Sequence, residues 1–223
     1  MSFLEMKRRL IKGAGPSERL ILYFAGWETG PELVEHLVVP EGFDVLCLWD
    51  YRTVDEGVGI ATGYKEVHII AWSLGVLMAN TLCANKSISS ACAINGTLRA
   101  IDSEYGLDPQ LYLDMMHSLD EVQLQKFNKL MCLTKESLYF FEARNLRNLN
   151  EKREELEAIY EVAMGKQGNP IKWTRAIVSD KDYIFPSRKQ LASWQCSRNT
   201  LIDSNPYGHM FFDKVNSWSE LLG

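Results

Sequence analysis

An α/β fold, a mostly parallel sheet flanked by helices and carrying a helical insertion, is predicted by three observations. Short apolar runs rich in strand formers recur towards both ends of the chain without alternating apolar and polar residues, the pattern of strands covered on both faces. Helix-like stretches separate these runs, as crossover connections between parallel strands require. The middle of the chain, from Pro109 to Gly165, holds no strand-like run at all. With 223 residues, 46% of them hydrophobic and 24% charged, the chain can bury a full core without disulfides or a structural metal.

The runs are residues 19–25, 43–49, 67–71, 90–95 and 173–178, with a short sixth at 200–203. Helical character is expected over Gly30–Leu37, opened by Pro31, over Val76–Cys83, and over Ser187–Trp194 after Pro186. In the middle, apolar residues recur three or four apart. Leu111, Met115, Leu119, Leu124, Phe127, Leu130 and Met131 outline one or two helices. Leu138, Phe141, Leu146 and Leu149 outline another, and Leu156, Ile159 and Val162 a last one. An insertion of about 55 residues is too long for an ordinary connection. The division expected is therefore a core of residues 1–108 and 166–223 and a helical cap of residues 109–165.

The net charge is −5, from 24 Lys and Arg against 29 Asp and Glu, which argues against a nucleic acid as the main partner. No run reaches the length of a transmembrane helix, and the basic residues Lys7, Arg8, Arg9 and Lys12 are followed by no apolar signal core. The five cysteines form no CxxC pair and three lie in apolar runs, as buried thiols of a reducing, cytoplasmic protein do.

The sharpest feature is Ala71-Trp72-Ser73-Leu74-Gly75, which lies between a strand and a helix. It is the G-x-S-x-G nucleophile elbow of α/β-hydrolases, with Ala in the first place. A Ser on a tight strand-to-helix turn has its hydroxyl lifted clear of the sheet, and the residues two before and two after must be small to avoid collision. The helix N-terminus behind it offers backbone N–H groups to a developing oxyanion.

A Ser nucleophile needs a base and an acid to orient it, in the chain order Ser, Asp or Glu, His. Of the four histidines only His209 follows the candidate acids, in the loop Asn205-Pro206-Tyr207-Gly208-His209. The acid is expected at Asp182, in the Asp-x-x-x-Pro pattern that ends at Pro186; Asp180 is the fallback and Asp203 a distant third. The oxyanion donors expected are the backbone N–H groups of Trp27, in the loop after the first run, and of Leu74. Asp50-Tyr51-Arg52, after the second run, either lines the site or anchors a loop. No HExxH, Cys/His quartet, GxGxxG or P-loop pattern is present.

Taken together, Tyr23-Phe24-Ala25-Gly26-Trp27, Asp50-Tyr51-Arg52, the elbow, Ala93-Ile94-Asn95-Gly96-Thr97, Lys126-Phe127 with Met131-Cys132, and Asp182-Tyr183-Ile184-Phe185-Pro186 resemble the BioG-type esterase family of biotin synthesis. One departure is Leu98-Arg99-Ala100, where the family commonly carries a proline. The resemblance implies an α/β-hydrolase with a helical cap, Ser73 and His209 as nucleophile and base, and no metal or organic cofactor. The implied reaction is hydrolysis of the methyl ester of pimeloyl-acyl carrier protein. The alternatives are a thioesterase or small-ester carboxylesterase with the same triad, and a non-catalytic binding protein of the same fold.

An acyl carrier protein is acidic, so its dock should be basic. Between Asp120 and Arg153 seven Lys and Arg stand against five Asp and Glu. Arg144 and Arg147, three apart and so on one helix face, are the carrier contacts expected. The protein is otherwise expected to act as a monomer, with no nucleic-acid or membrane partner.

Overall fold

The computed structural model describes residues 6–53 and 63–223. The six apolar runs become strands: β2 (Arg19–Phe24), β3 (Phe43–Trp49), β4 (Glu66–Trp72), β5 (Ser90–Ile94), β6 (Arg175–Ser179) and β7 (Leu201–Asn205). They lie parallel to one another in a sheet of order β1-β3-β2-β4-β5-β6-β7. The extra strand, β1 (Lys7–Ile11), pairs antiparallel with β3 at the edge. Its sequence, KRRLI, is exposed along its first four residues. A charged edge strand of this kind carries no apolar run to announce it.

Successive residues of β2 face opposite cores. Leu20, Leu22 and Phe24 pack on one side with Ile69 and Ala71. Ile21, Tyr23 and Ala25 pack on the other with Ile70, Trp72, Cys92 and Ile94. Both faces are covered, as the unbroken apolar runs required. The helices include α1 (Gly75–Leu82) after β4 and α6 (Ser187–Gln195) after β6. The α-helix expected over Gly30–Leu37 does not form. The chain makes one 3-10 turn at Pro31–Leu33. The N–H of Val38, which a longer helix would turn back to Val34, instead donates to Asn216 O at 2.8 Å.

Between β5 and β6 run α2 (Pro109–Ser118), α3 (Glu121–Cys132), α4 (Lys135–Glu142) and α5 (Leu149–Met164). Each opens on a side chain that accepts from its first turn: Asp108, Asp120, Thr134 and Asn148. The helix expected from Leu138 to Leu149 stops at Glu142, and Leu146 is 74% exposed in the linker. α5 packs on α1 and α2. Because the central strands are parallel, the loops that follow β2, β4, β5, β6 and β7 gather at one end of the sheet, where open α/β sheets place their sites.

Among the described residues, no helix is long and apolar enough to cross a membrane. Cys47, Cys83 and Cys92 are free and buried, and burial pushes their thiols up to about 12.

Candidate active site

Ser73 sits between β4 and α1 with φ 59°, in the left-handed region that non-glycine residues enter at a cost. Its N–H donates to Ile94 O at 2.9 Å and its carbonyl accepts from Val76 at 3.1 Å. The small-residue rule of the elbow is visible as contacts. A Cβ on Gly75 would stand 2.5 Å from the carbonyl oxygens of Phe24 and Ala25, and one on Gly96 2.3 Å from Ser73 O. Ala71 has no such conflict in its place between Phe24 and Ala93.

His209, 1% exposed, reaches Ser73 Oγ through Nε2 at 2.8 Å and Asp182 Oδ2 through Nδ1 at 2.8 Å. Its loop is pinned by its carbonyl, which accepts from Asn95 Nδ2 at 2.8 Å and from the Trp72 indole at 3.1 Å. Trp72, itself part of the cavity wall, thus helps hold the histidine that stands beside the neighbouring Ser73.

Asp182 is buried, and every lone pair it offers is used. Oδ1 accepts from the N–H groups of Ile184 and Phe185 at 2.9 Å each. Oδ2 accepts from Gln190 Nε2 at 2.9 Å as well as from His209. Asp180 is exposed, and Asp203 pairs with Arg175 at 2.6 Å. Of the three acids the sequence offered, the fold brings Asp182 to the histidine.

Ser73 and His209 open onto a cavity of about 360 Å³, walled by Trp27, Tyr112, Met115, Phe127, Leu156 and Phe185 among others. Its lining is apolar with few polar groups, the composition of a ligand pocket. Gly26 lets the loop after β2 close on the serine, since a Cβ there would meet the Trp72 ring at 2.6 Å and Ser73 Cβ at 3.2 Å. The backbone N–H groups of Trp27 and Leu74 find no acceptor among the described residues. Among those residues no group of three or more His, Cys, Asp or Glu is placed to hold a metal ion.

The chain resembles known proteins in sequence and in fold. Residues 6–221 match the family described as "Pimeloyl-ACP methyl esterase BioG". The chain belongs to the BioG family. The crystal structure of BioG from Haemophilus influenzae superposes with a TM-score of 0.90 at 30% identity, covering 98% of this chain and 100% of that one. A Bacteroides fragilis protein named malonyl-[acyl-carrier protein] O-methyltransferase is 32% identical over 183 residues. That match covers 78% of this chain but 36% of the larger protein. An esterase from Exiguobacterium antarcticum shares the fold, with a TM-score of 0.73 at 14% identity, 94% of this chain and 90% of that one being covered. The α/β-hydrolase fold expected from the elbow is thus the fold of this BioG chain.

One expectation changes, and one left open is decided. Arg147 is no surface contact: its side chain is 7% exposed and pairs with Asp50 at 3.1 Å and with Glu155. Neither arginine is on the helix face expected, since both lie in the linker between α4 and α5, and charge counting cannot tell a solvated cation from one folded inward onto acids. Arg144 lies outside the pocket lining, with its guanidinium 3.9 Å over the Phe140 ring and donating to Phe140 O. Asp50-Tyr51-Arg52 proves to be a loop anchor. Arg52 grips both Asp50 oxygens, at 2.7 and 2.8 Å, and the Tyr51 hydroxyl donates to Ala25 O at 2.8 Å. Burial raises the Asp50 carboxyl, but the Arg52 bonds and the Arg147 charge outweigh it and hold it at about 2.

Sequence reasoning passed over Gln190, Lys152 and Glu155. The last two had a legible signal. Lys152, Glu155, Leu156 and Ile159 fall at i, i+3, i+4 and i+7, so two charges sit on the buried stripe of α5.

Proposed function

We propose that this chain is a serine esterase that hydrolyses the methyl ester of pimeloyl-acyl carrier protein, releasing methanol and the carrier-bound free acid. The observation that carries the reading is the continuous hydrogen-bonded line Ser73–His209–Asp182 opening into an apolar cavity, in a chain of the BioG family.

In this reading His209 Nε2 takes the Ser73 proton as Oγ attacks the ester carbonyl. Asp182 holds the Nδ1–H tautomer and stabilises the imidazolium that forms. The N–H groups of Trp27 and Leu74 receive the oxyanion. On collapse the C–OMe bond breaks, and His209 gives its proton to the departing methoxide. A water deprotonated by His209 then attacks the acyl-enzyme, Ser73 leaves with the proton returned, and the acid is free. The apolar wall suits a short methylene chain and its uncharged ester. An acyl carrier protein is the partner implied, and Arg144 remains the candidate contact on the helical segment.

The test is methanol release from pimeloyl-carrier methyl ester by wild type and by Ser73→Ala, with a free short ester beside it. Wild-type turnover with strong preference for the carrier ester, abolished in Ser73→Ala, supports the reading. Turnover of the free ester alone removes the substrate assignment.

A further inference from the structure

Glu155, 0% exposed on α5, spends both carboxylate oxygens on backbone of the sheet core. Oε2 accepts from Glu28 N–H at 3.2 Å and Oε1 from Tyr51 N–H at 2.9 Å. These amides belong to the loops that follow two neighbouring strands, β2 and β3. Each loop holds a non-glycine residue in the left-handed region, Glu28 at φ 66° and Asp50 at φ 62°. One side chain of the inserted helices therefore ties down two strained turns of the core. Arg147 neutralises it from the side and bridges to Asp50.

The same helix holds the adjoining residue a second way. Trp27 donates its indole N–H to Lys152 O at 2.7 Å, and Lys152 lies three residues before Glu155. The Lys152 ammonium meets the buried Glu28 carboxylate at 3.1 Å, and Asn145 Nδ2 donates to it at 3.1 Å. Trp27 is thereby fixed at its ring and at the peptide that follows it, while Gly26 on its other side abuts Ser73 Cβ. The free direction left to Trp27 is that of its own N–H.

We propose that Glu155 is a positioning residue for ester hydrolysis: through the Glu28 and Tyr51 amides it sets the Trp27 N–H at the point where the oxyanion forms. The proposal rests on the esterase reading above. It makes the inserted helices part of the catalytic geometry, since the oxyanion donor of the core is held by a carboxylate of α5. Such preorganisation matters in the transition state more than in substrate binding.

Glu155→Gln is the informative change. Glutamine has the same shape but one acceptor oxygen, so one of the two amides meets an NH2 group. The expected result is a folded protein whose kcat falls roughly 10- to 100-fold with KM within about twofold. Its affinity for a trifluoromethyl-ketone analogue, whose adduct carries the oxyanion, should fall by a similar factor. Asp44→Asn, a buried carboxylate at the start of β3 and at the opposite end of the sheet, controls for stability and should keep its kcat. Should Glu155→Gln not fold, Glu155→Asp, which withdraws both oxygens by one methylene, reads the same quantities. A folded variant with kcat within about twofold of wild type overturns the proposal. So does unchanged analogue affinity, or an equal loss in Asp44→Asn. These ratios are read on whichever ester the wild type hydrolyses, so loss of the carrier substrate assignment and loss of the Glu155 role give different results.

Discussion

Gln190, wholly buried on α6, donates its side-chain N–H to Asp182 Oδ2 at 2.9 Å, the oxygen that also faces His209 Nδ1. The other oxygen is committed to two backbone N–H groups. In Asp182→Asn the backbone pair fixes the amide oxygen on its side, so the new NH2 must point at Gln190 and His209. That NH2 donates to Nδ1, which must become an acceptor, and the imidazole carries its proton on Nε2, towards Ser73. That is the wrong tautomer for a base. The expected loss is about 10³- to 10⁴-fold in kcat with little change in folding. Steady-state kinetics with a thermal melt checks it.

The elbow was legible because its rule is steric: the oxygens of Phe24 and Ala25 leave no room for a Cβ at Gly75, and such rules survive in a single sequence. Asp182 was separable from Asp180 only by the Pro186 pattern, and the reason lies in the N–H groups of Ile184 and Phe185, which turn its carboxylate inward. β1 was not legible, because an edge strand takes its hydrogen bonds from β3 and needs no apolar face. Gly30–Leu37 misled because its apolar spacing fits a helix, while the competitor for the Val38 N–H, Asn216, lies far along the chain. Arg147 misled for a related reason, since its partners Asp50 and Glu155 become neighbours only in the fold.

Arg144 and Arg147 look alike in sequence and should behave differently. Arg147→Ala leaves the buried carboxyl of Glu155 without its cation, while Asp50 keeps Arg52 and Lys7. Burial pushes Glu155 up, and the Arg147 charge opposes it. Breaking such a pair by removing one partner costs about 3 kcal/mol, a fall of roughly 6–12 °C in Tm for a chain of this size. Arg144→Ala loses stacking on Phe140 and a bond at a helix end, and should cost under about 1 kcal/mol. Calorimetry of the two variants separates them.

Asp44 predicts the acid limb of stability. Burial raises its carboxyl, but Lys12, Tyr64, the Gly13 N–H and Ser17 all bond to it and together hold it well below the usual carboxylate range. A carboxyl depressed in the folded state contributes stability that is present above its unfolded value near 4 and is lost as pH falls below it. Asp44→Asn should therefore cost about 2–3 kcal/mol at pH 7. Its stability should also fall less steeply than wild type as pH drops from about 5 towards 2. Urea titrations across that range test both; parallel pH curves for the two proteins would remove Asp44 as the cause.

Ser73 stands at φ 59°, a strain that its Cβ creates and its hydroxyl does not. Ser73→Ala removes the bond to His209 but keeps a Cβ in the left-handed region. Ser73→Gly removes both. Against the conformational freedom that glycine adds to the unfolded chain stands the roughly 1–2 kcal/mol that a Cβ costs at such a φ. Ser73→Gly should be the more stable of the two by about 1 kcal/mol, with both inactive. Equal melting temperatures would mean that Ile94, Val76 and Gly96, which surround the turn, have already relaxed it. A more stable glycine variant would measure what the chain gives up to present a serine at this corner.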